Sequence, residues 1–130
     1  MKILLAEKSK DLVSALMLVI TQIKDTWVNE IGLILHVDTV DNLYSKLKEE
    51  KPDVLIINGG FVNHKTRDAI PILQKLNPAM AILILSIDPE MEGKYREIGI
   101  GNFILKGDSA ENFYNSMDDF LKKEQIKVSR

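Results

Sequence analysis

"PDVLIINGG", residues 52–60, carries four consecutive aliphatic side chains between a proline–aspartate pair and an asparagine followed by two glycines. Such an uninterrupted apolar run is typical of a strand buried on both faces, as in a parallel sheet that helices cover on each side. Pro52 ends the helical pattern that precedes the strand. Asn58 is the unusual feature, because a carboxylate at the end of this strand would be the more reactive side chain.

The chain contains five short aliphatic runs of this kind, and segments with helical spacing separate them. The predicted strands are Ile3–Ala6, Leu33–Val37, Val54–Ile57, Ile82–Leu85 and Phe103–Leu105. Strands that alternate with helices predict a parallel sheet covered on both faces, and right-handed crossovers leave few topologies. We therefore expect a three-layer, doubly wound α/β fold with five parallel strands in the flavodoxin-like order 2-1-3-4-5.

The first predicted helix spans about Lys10 to Glu30, which is longer than the average helix of about 11–12 residues. Its apolar stripe consists of Leu12, Leu16, Val19, Ile20, Ile23 and Trp27. Trp27 either projects past the sheet, as an anchor for a partner, or folds back over the core. The second helix carries an apolar face of Val40, Leu43 and Leu47.

The later helices have clearer start and stop signals. Pro71 either starts or kinks the third helix. Asp88 is predicted as the N-cap of the fourth helix, with Pro89 at its first position and Gly99 near its end. Asp108 or Ser109 caps the last helix, whose predicted inner face is Ala110, Phe113, Met117, Phe120 and Leu121.

The composition excludes several classes of function. The 130 residues include no cysteine, which excludes thiol catalysis and thiolate metal sites. A net charge of −2 predicts no general attraction to nucleic acid or to a membrane, and the two histidines, His36 and His64, are isolated from one another. No apolar run has the length of a membrane span or the form of a signal peptide. We expect a cytoplasmic protein with one domain over residues 1–124 and a C-terminal tail or linker over residues 125–130.

In a doubly wound sheet, the functional crevice lies beyond the carboxyl ends of the strands, where the strand order reverses. The side chains at those ends are Glu7 and Lys8 after the first strand, Asn58 after the third, Ser86 after the fourth and Lys106 after the fifth. The sequence therefore predicts that these five residues surround one site.

The same positions resemble the receiver domain of bacterial response regulators, a CheY-like fold, and the resemblance covers nearly the whole chain. The motifs that carry it are "KILLAEK" at residues 2–8, "PDVLIIN" at 52–58, "AILILSI" at 81–87 and "GIGNFILKG" at 99–107. The resemblance implies that Asn58 occupies the phosphoacceptor position and that Ser86 and Phe103 occupy the positions of the switch pair. It also implies a protein-binding face on the fourth helix, fifth strand and fifth helix, here Lys94, Tyr95, Phe103, Phe113 and Met117.

The chain departs from the receiver pattern where the chemistry would occur. Receivers phosphorylate an aspartate with the help of Mg²⁺ held by acids, and the amide nitrogen of Asn58 is not a nucleophile. The family pattern of three carboxylates and one lysine carries a charge of −2, whereas Glu7, Lys8 and Lys106 together carry +1. An ammonium about 5 Å from a divalent ion costs several kcal/mol even at an effective dielectric of about 20. We therefore expect no catalytic residue and no cofactor, with Mg²⁺ binding lost or very weak. If Lys8 points into solvent, the repulsion is softer, but the missing acids are still not restored.

Two further hypotheses concern the same site. Glu7 is expected to pair with Lys106, which would substitute internally for the metal. The backbone N–H groups of Gly59 and Gly60 could receive an anion, although a plain two-glycine turn is the commoner reading.

The resemblance implies an atypical receiver, or pseudo-receiver, that signals by protein–protein interaction and independently of phosphorylation. Its partner would be a histidine kinase, an output domain, another regulator or a second copy in a homodimer, with no direct binding of nucleic acid or membrane. Two alternatives remain. The chain is the receiver part of a longer DNA-binding regulator, or it is a small-molecule or anion-binding domain on the same fold.

Overall fold

The computed structural model describes residues 1–26, 32–61, 70–75, 77–107 and 109–128. The strands are β1 Lys2–Ala6, β2 Leu33–Val37, β3 Val54–Asn58, β4 Ala81–Ser86 and β5 Asn102–Leu105. The helices are α1 Lys10–Thr26, α2 Val40–Glu50, α4 Met91–Glu97 and α5 Ala110–Val128, with residues 70–75, here called α3, also helical. Gly59–Phe61 forms a short 3₁₀ turn after β3. All five predicted strands are confirmed, and each predicted end lies within one residue of the observed end.

The five strands form one sheet in the order β2-β1-β3-β4-β5, and every neighbouring pair is parallel. Ala6 at the end of β1 lies beside Ile57, and Asn58 at the end of β3 lies beside Leu85. Ser86 lies beside Leu105. The predicted order is therefore confirmed, and the register brings the residues that follow β1, β3, β4 and β5 to the same edge of the sheet.

The central strands are buried on both faces, and alternate side chains feed two separate cores. One core contains Ile3, Leu5, Val54, Ile56, Leu83 and Leu85 with residues of α1 and α5. The other contains Leu4, Leu55, Ile57, Ile82 and Ile84 with residues from the opposite layer of helices. Each fully buried aliphatic side chain stabilises the fold by about 1.5–3 kcal/mol, so this double-sided burial explains the uninterrupted apolar runs.

The helix α1 has 17 residues, which is longer than the average helix of about 11–12, as predicted. Leu16, Ile20 and Ile23 from its predicted apolar stripe are buried in the core. Leu12 is an exception, because 41% of its surface is exposed. The predicted end at Glu30 and the two predictions for Trp27 lie outside the described residues.

The helix α2 begins and ends with specific caps. The side chain of Thr39 accepts a hydrogen bond of 3.1 Å from the backbone N–H of Asn42. Lys51 at the other end has a φ of 45°, the left-handed conformation that favours glycine. Pro52 follows directly, so the helix stops where the sequence predicts.

The helix α4 starts later than predicted, because Asp88, Pro89 and Glu90 form a turn that leads into it. The carboxylate of Asp88 accepts from the backbone N–H of Glu90 at 3.0 Å, and the carbonyl oxygen of Asp88 accepts from Met91 at 3.2 Å. The cap position belongs to Glu90, and the first helical residue is Met91. Gly99 has a φ of 92° just beyond the end of α4, as expected for a helix stop. Pro71 is helical within α3, but residues 62–69, directly before this helix, lie outside the described part of the chain.

Ser109 caps α5, because its hydroxyl oxygen accepts a hydrogen bond of 3.1 Å from the backbone N–H of Asn112. Asp108, the alternative cap, lies outside the described residues. Of the predicted inner face, Met117, Phe120 and Leu121 are buried, Phe113 is half-buried, and Ala110 is exposed because it lies on the first turn, beyond the sheet. The helix continues to Val128, so residues 125–128 of the predicted tail are its last turn. No described helix is long and apolar enough to cross a membrane.

Candidate functional site

Three polar side chains meet at the carboxyl edge of the sheet and form one hydrogen-bonded chain. The ammonium of Lys106 donates to the side-chain oxygen of Asn58. The side-chain nitrogen of Asn58 donates in turn to the carboxylate oxygen Oε2 of Glu7. We call this set of three side chains the relay. It places a neutral amide between an ammonium and a carboxylate, with both polar ends of the amide in use.

Two of the three side chains of the relay are buried, and Lys106 is partly exposed. Glu7 is 4% exposed and Asn58 is 6% exposed. The second carboxylate oxygen of Glu7, Oε1, accepts a hydrogen bond of 3.0 Å from the backbone N–H of Ser9. A buried polar group that loses its partner costs about 1–3 kcal/mol, and more when the group is charged. Each member of the relay therefore constrains the others.

The expected direct pair between Glu7 and Lys106 is not what the structure contains. No ion pair within 4.0 Å joins these two described side chains, because the amide of Asn58 lies between them. The sequence places all three residues at one edge but does not indicate which of them are in contact. The amide in the middle is the functional feature that sequence reasoning missed.

Lys8 is exposed and does not belong to the relay. The charge of the buried site is therefore that of one carboxylate and one ammonium, which is zero rather than the +1 counted from the sequence. Lys8 therefore points into solvent, the arrangement in which its repulsion of a cation at the site is weaker. The ring nitrogen Nε2 of His36 on β2 donates a hydrogen bond of 2.9 Å to the backbone carbonyl oxygen of Glu7.

Ser86 lies at the end of β4, 7% exposed, and its hydroxyl faces the turn that follows the strand. The hydroxyl oxygen accepts a hydrogen bond of 3.1 Å from the backbone N–H of Asp88. The backbone N–H of Lys106 donates to the carbonyl oxygen of Ser86 at 2.7 Å, which fixes the end of β5 against β4. Ser86 therefore lies beside the relay but forms no hydrogen bond with its side chains.

Gly59 lies at a close approach to the end of β4. A Cβ atom at this position would lie 3.1 Å from the carbonyl oxygen of Leu85 and 3.3 Å from the side chain of Ser86. The sequence hypothesis of an anion site at Gly59 and Gly60 remains a hypothesis. The close packing of Gly59 gives an independent, structural reason for one of the two glycines.

Phe103, the predicted switch aromatic, lies half-buried on β5 and packs on Tyr95 of α4. The two ring centroids are 6.4 Å apart with an interplanar angle of 39°. Tyr95 itself is 2% exposed. The aromatic pair links α4 to the edge strand β5.

The five residues of the predicted interaction face differ in how exposed they are. Tyr95 and Met117 are buried in the two cores, so neither is available to a partner in this conformation. Lys94 is exposed, while Phe103 and Phe113 are half-buried. A groove of about 570 Å³ runs along β5, the edge strand, and its walls come from the α4 region and α5. Its lining includes Pro89, Glu92, Phe103, Phe113, Phe120 and Lys123.

A second cavity adjoins the relay between α1 and α5. Its volume is about 280 Å³, and its walls are mostly aliphatic side chains of α1 with Phe113 of α5. Glu7, Asn58 and Lys106 line its polar end. Among the described residues, no group of three or more histidine, aspartate or glutamate side chains lies close enough together to hold a metal ion.

Comparisons of sequence give no relative: no family model matches the chain, and no curated protein matches it significantly. Many solved structures are similar in fold, and three of them illustrate the likeness. A protein from Burkholderia pseudomallei described as pilus assembly-related matches with a TM-score of 0.76 and 16% identity, over 97% of this chain and 90% of its own.

The other two are response regulators. The RcsB response regulator of Salmonella typhimurium matches with a TM-score of 0.76 and 15% identity, over 98% of this chain. This chain spans 60% of the length of that protein. The signal receiver domain of a DNA-binding response regulator from Colwellia psychrerythraea matches with a TM-score of 0.73 and 10% identity, over 93% of this chain and 98% of its own. With its five parallel strands in the order 2-1-3-4-5 between layers of helices, this chain has the fold of a response-regulator receiver domain.

Proposed function

We propose that this chain is a receiver-like module of two-component signal transduction that acts through a partner protein and without being phosphorylated. The observation that carries the proposal is the position of Asn58. It ends β3 at the carboxyl edge of the sheet, where it accepts from Lys106 and donates to Glu7.

The chemistry of an amide supports the absence of phosphorylation. A carboxylate that attacks a phosphoryl group needs a free anionic oxygen, and an amide has none. The oxygen of Asn58 already accepts from an ammonium, and its nitrogen already donates to a carboxylate. The relay thus keeps the site folded and leaves it without a nucleophile at this position.

The donor set also does not fit Mg²⁺. Magnesium requires near-octahedral oxygen ligation and is usually held by one or two carboxylates together with water. The site offers Glu7 as its one carboxylate, with both oxygens already accepting hydrogen bonds, and an amide oxygen that faces the Lys106 ammonium. Binding a divalent ion would require breaking these bonds and placing the ion beside a positive charge.

The proposed partner surface is the groove along β5. It combines an open strand edge with the half-buried rings of Phe103 and Phe113, and charged residues such as Glu92 and Lys123 lie on its walls. Half-buried aromatic rings between charged rims are typical of protein-binding surfaces. Lys94 is an exposed neighbour of this groove on α4, whereas Tyr95 and Met117 would support it from inside.

Incubation with acetyl phosphate and Mg²⁺, followed by intact mass measurement, tests the proposal. We expect no phosphorylated species of the natural chain. The matched variant Asn58→Asp restores a carboxylate at the same position and should acquire a phosphoryl group more readily. Labelling of the natural chain at any residue of the site would overturn the proposal.

Isolation of the chain with its partners from the native cell tests the second half of the proposal. We expect a signalling protein, such as a histidine kinase, an output domain or another regulator. Because this chain spans 60% of the RcsB response regulator, a receiver part of a longer DNA-binding regulator is the second candidate. Mass spectrometry of the native protein would distinguish them, since the second candidate requires a longer chain.

A further inference from the structure

We propose that the cavity between α1 and α5 binds a small amphipathic carboxylate, with its apolar body between the two helices and its carboxylate on the ammonium of Lys106. This inference goes beyond the proposed function, because a module that acts without phosphorylation needs no ligand. A ligand at this place would supply an input in direct contact with the relay.

The side chains that line the cavity indicate that the body of the ligand is apolar. Leu12, Ala15, Leu16 and Val19 of α1 face Phe113 of α5 and Leu85 of β4 across the space. Leu12 is 41% exposed although it belongs to the apolar stripe of α1. An apolar molecule in the cavity would cover such a surface, and burial of apolar area contributes about 25 cal/mol per Å².

The volume limits the size of the molecule. A volume of about 280 Å³ corresponds to about nine non-hydrogen atoms, if each takes the roughly 30 Å³ that a water molecule occupies in the liquid. The space is therefore right for a chain of about eight carbons or for one substituted aromatic ring. A nucleotide or a flavin would extend well beyond this space.

The polar end of the cavity determines the head group. A lysine ammonium has three donors, and within the described residues the side chain of Lys106 uses one of them, on Asn58. Lys106 is also partly exposed, whereas Glu7 is 4% exposed and accepts hydrogen bonds on both oxygens. The group that can still receive a ligand is thus the donor with a positive charge, which selects an anion.

Binding at this site would disturb the hydrogen bonds of the relay. A carboxylate on Lys106 would compete with the amide oxygen of Asn58 for the same ammonium. Asn58 in turn holds Glu7, and the backbone of Lys106 is tied to Ser86 at the end of β4. Binding of the ligand would therefore alter the hydrogen bonds at the carboxyl ends of β1, β3, β4 and β5. The last of these strands lines the groove along β5.

The test uses octanoate as the probe and 1-octanol as its uncharged counterpart, each titrated into the isotope-labelled full chain and followed by NMR. We expect saturable binding of octanoate, with intermolecular contacts to the methyl groups of Leu16 and Val19. In Lys106→Met and Lys106→Gln we expect octanoate to bind about tenfold more weakly or worse, the loss typical of a charge-assisted hydrogen bond, with little change for 1-octanol. Lys106→Arg keeps the charge and should retain most of the affinity.

Lys8→Met is the matched control, because it removes an exposed lysine from the neighbouring loop. We expect it to change the affinity for octanoate by less than about threefold. Binding that does not saturate, contacts outside the cavity, or equal affinity of the natural chain for octanoate and 1-octanol would overturn the proposal. None of these outcomes bears on the phosphorylation test, which concerns Asn58 in the absence of any ligand.

Discussion

The two ends of the sheet hold their charges in different ways. At the amino end, the ammonium of Lys2 forms an ion pair of 3.1 Å with Glu50, and the two side chains are 33% and 30% exposed. At the carboxyl end, Glu7 and Asn58 are 4% and 6% exposed, and an amide separates the carboxylate from the ammonium of Lys106. Water screens the first arrangement, whereas in the second it reaches Lys106 but is largely excluded from Glu7 and Asn58.

This difference predicts where substitutions have large effects. An ion pair that water reaches contributes about 0–1 kcal/mol, since solvation of the separated charges nearly offsets their attraction. A buried polar group that loses its partner costs about 1–3 kcal/mol. The carboxyl end should therefore be sensitive to single changes, and the amino end should tolerate them.

The largest effect is expected for Asn58→Asp. The substitution replaces the donor to Glu7 with a second carboxylate, and two buried like charges repel one another. We expect the free energy of unfolding to fall by about 2–3 kcal/mol at neutral pH without divalent ions. Millimolar Mg²⁺ should recover part of this loss in the variant, because the site then has two carboxylates for the cation.

Chemical denaturation with and without Mg²⁺ measures this effect. The natural chain serves as the control, and its stability should not respond to the ion beyond a general salt effect. A variant as stable as the natural chain would contradict the net repulsion expected between Glu7 and the new carboxylate.

The next effect concerns the packing beside the relay. Gly59→Ala adds a Cβ atom 3.1 Å from the carbonyl oxygen of Leu85, so the backbone at the end of β4 must shift by a few tenths of an ångström. We expect a loss of about 1–2 kcal/mol, as for other additions to a filled space.

Gly93→Ala in α4 is the matched control, because a Cβ atom there has no heavy atom within 4 Å. Alanine is the better helix former, so this variant should be more stable by up to about 1 kcal/mol. Thermal unfolding of both variants tests the pair, and equal effects of the two substitutions would refute the close approach at Gly59.

A stabilising change is expected at the amino end, at Lys51. Its φ of 45° is unfavourable for a residue with a side chain and favourable for glycine. Lys51→Gly should raise the free energy of unfolding by about 0.5–1 kcal/mol, although glycine also gains entropy in the unfolded chain. A destabilised variant in chemical denaturation would indicate that the side chain of Lys51 has a packing role that outweighs its conformation.

The smallest effect is expected for Lys2→Met, which removes the exposed ion pair with Glu50. We expect a loss of less than about 1 kcal/mol, and a smaller difference from the natural chain at high salt. A loss as large as that of Asn58→Asp would remove the contrast between the two ends of the sheet.

The sequence predicts the fold well because strand burial and helix stripes repeat regularly. The order of the strands follows from the alternation of elements and from crossover handedness, and these depend on many residues at once. The places where prediction fails depend on single residues. Asp88 is a good cap by type, but the proline after it forms a turn, and α4 starts at Met91. Leu12 continues an apolar stripe, but 41% of its surface is exposed.

The site shows the same limit. That Glu7, Asn58 and Lys106 share one edge follows from strand order. That the amide lies between the two charges depends on side-chain reach and rotamers, which no spacing in the sequence encodes. The direction in which Lys8 points and the cavity between α1 and α5 depend on packing in the same way.

The most direct measurement is an NMR titration of the natural chain with Mg²⁺ and then with beryllofluoride, a mimic of the phosphoryl group. We expect no saturable change at Glu7, Asn58 or Lys106, because the carboxylate of Glu7 is already hydrogen-bonded and the amide oxygen of Asn58 already accepts from the ammonium of Lys106. Saturable shifts of these three residues, with both species bound beside Asn58, would contradict this expectation.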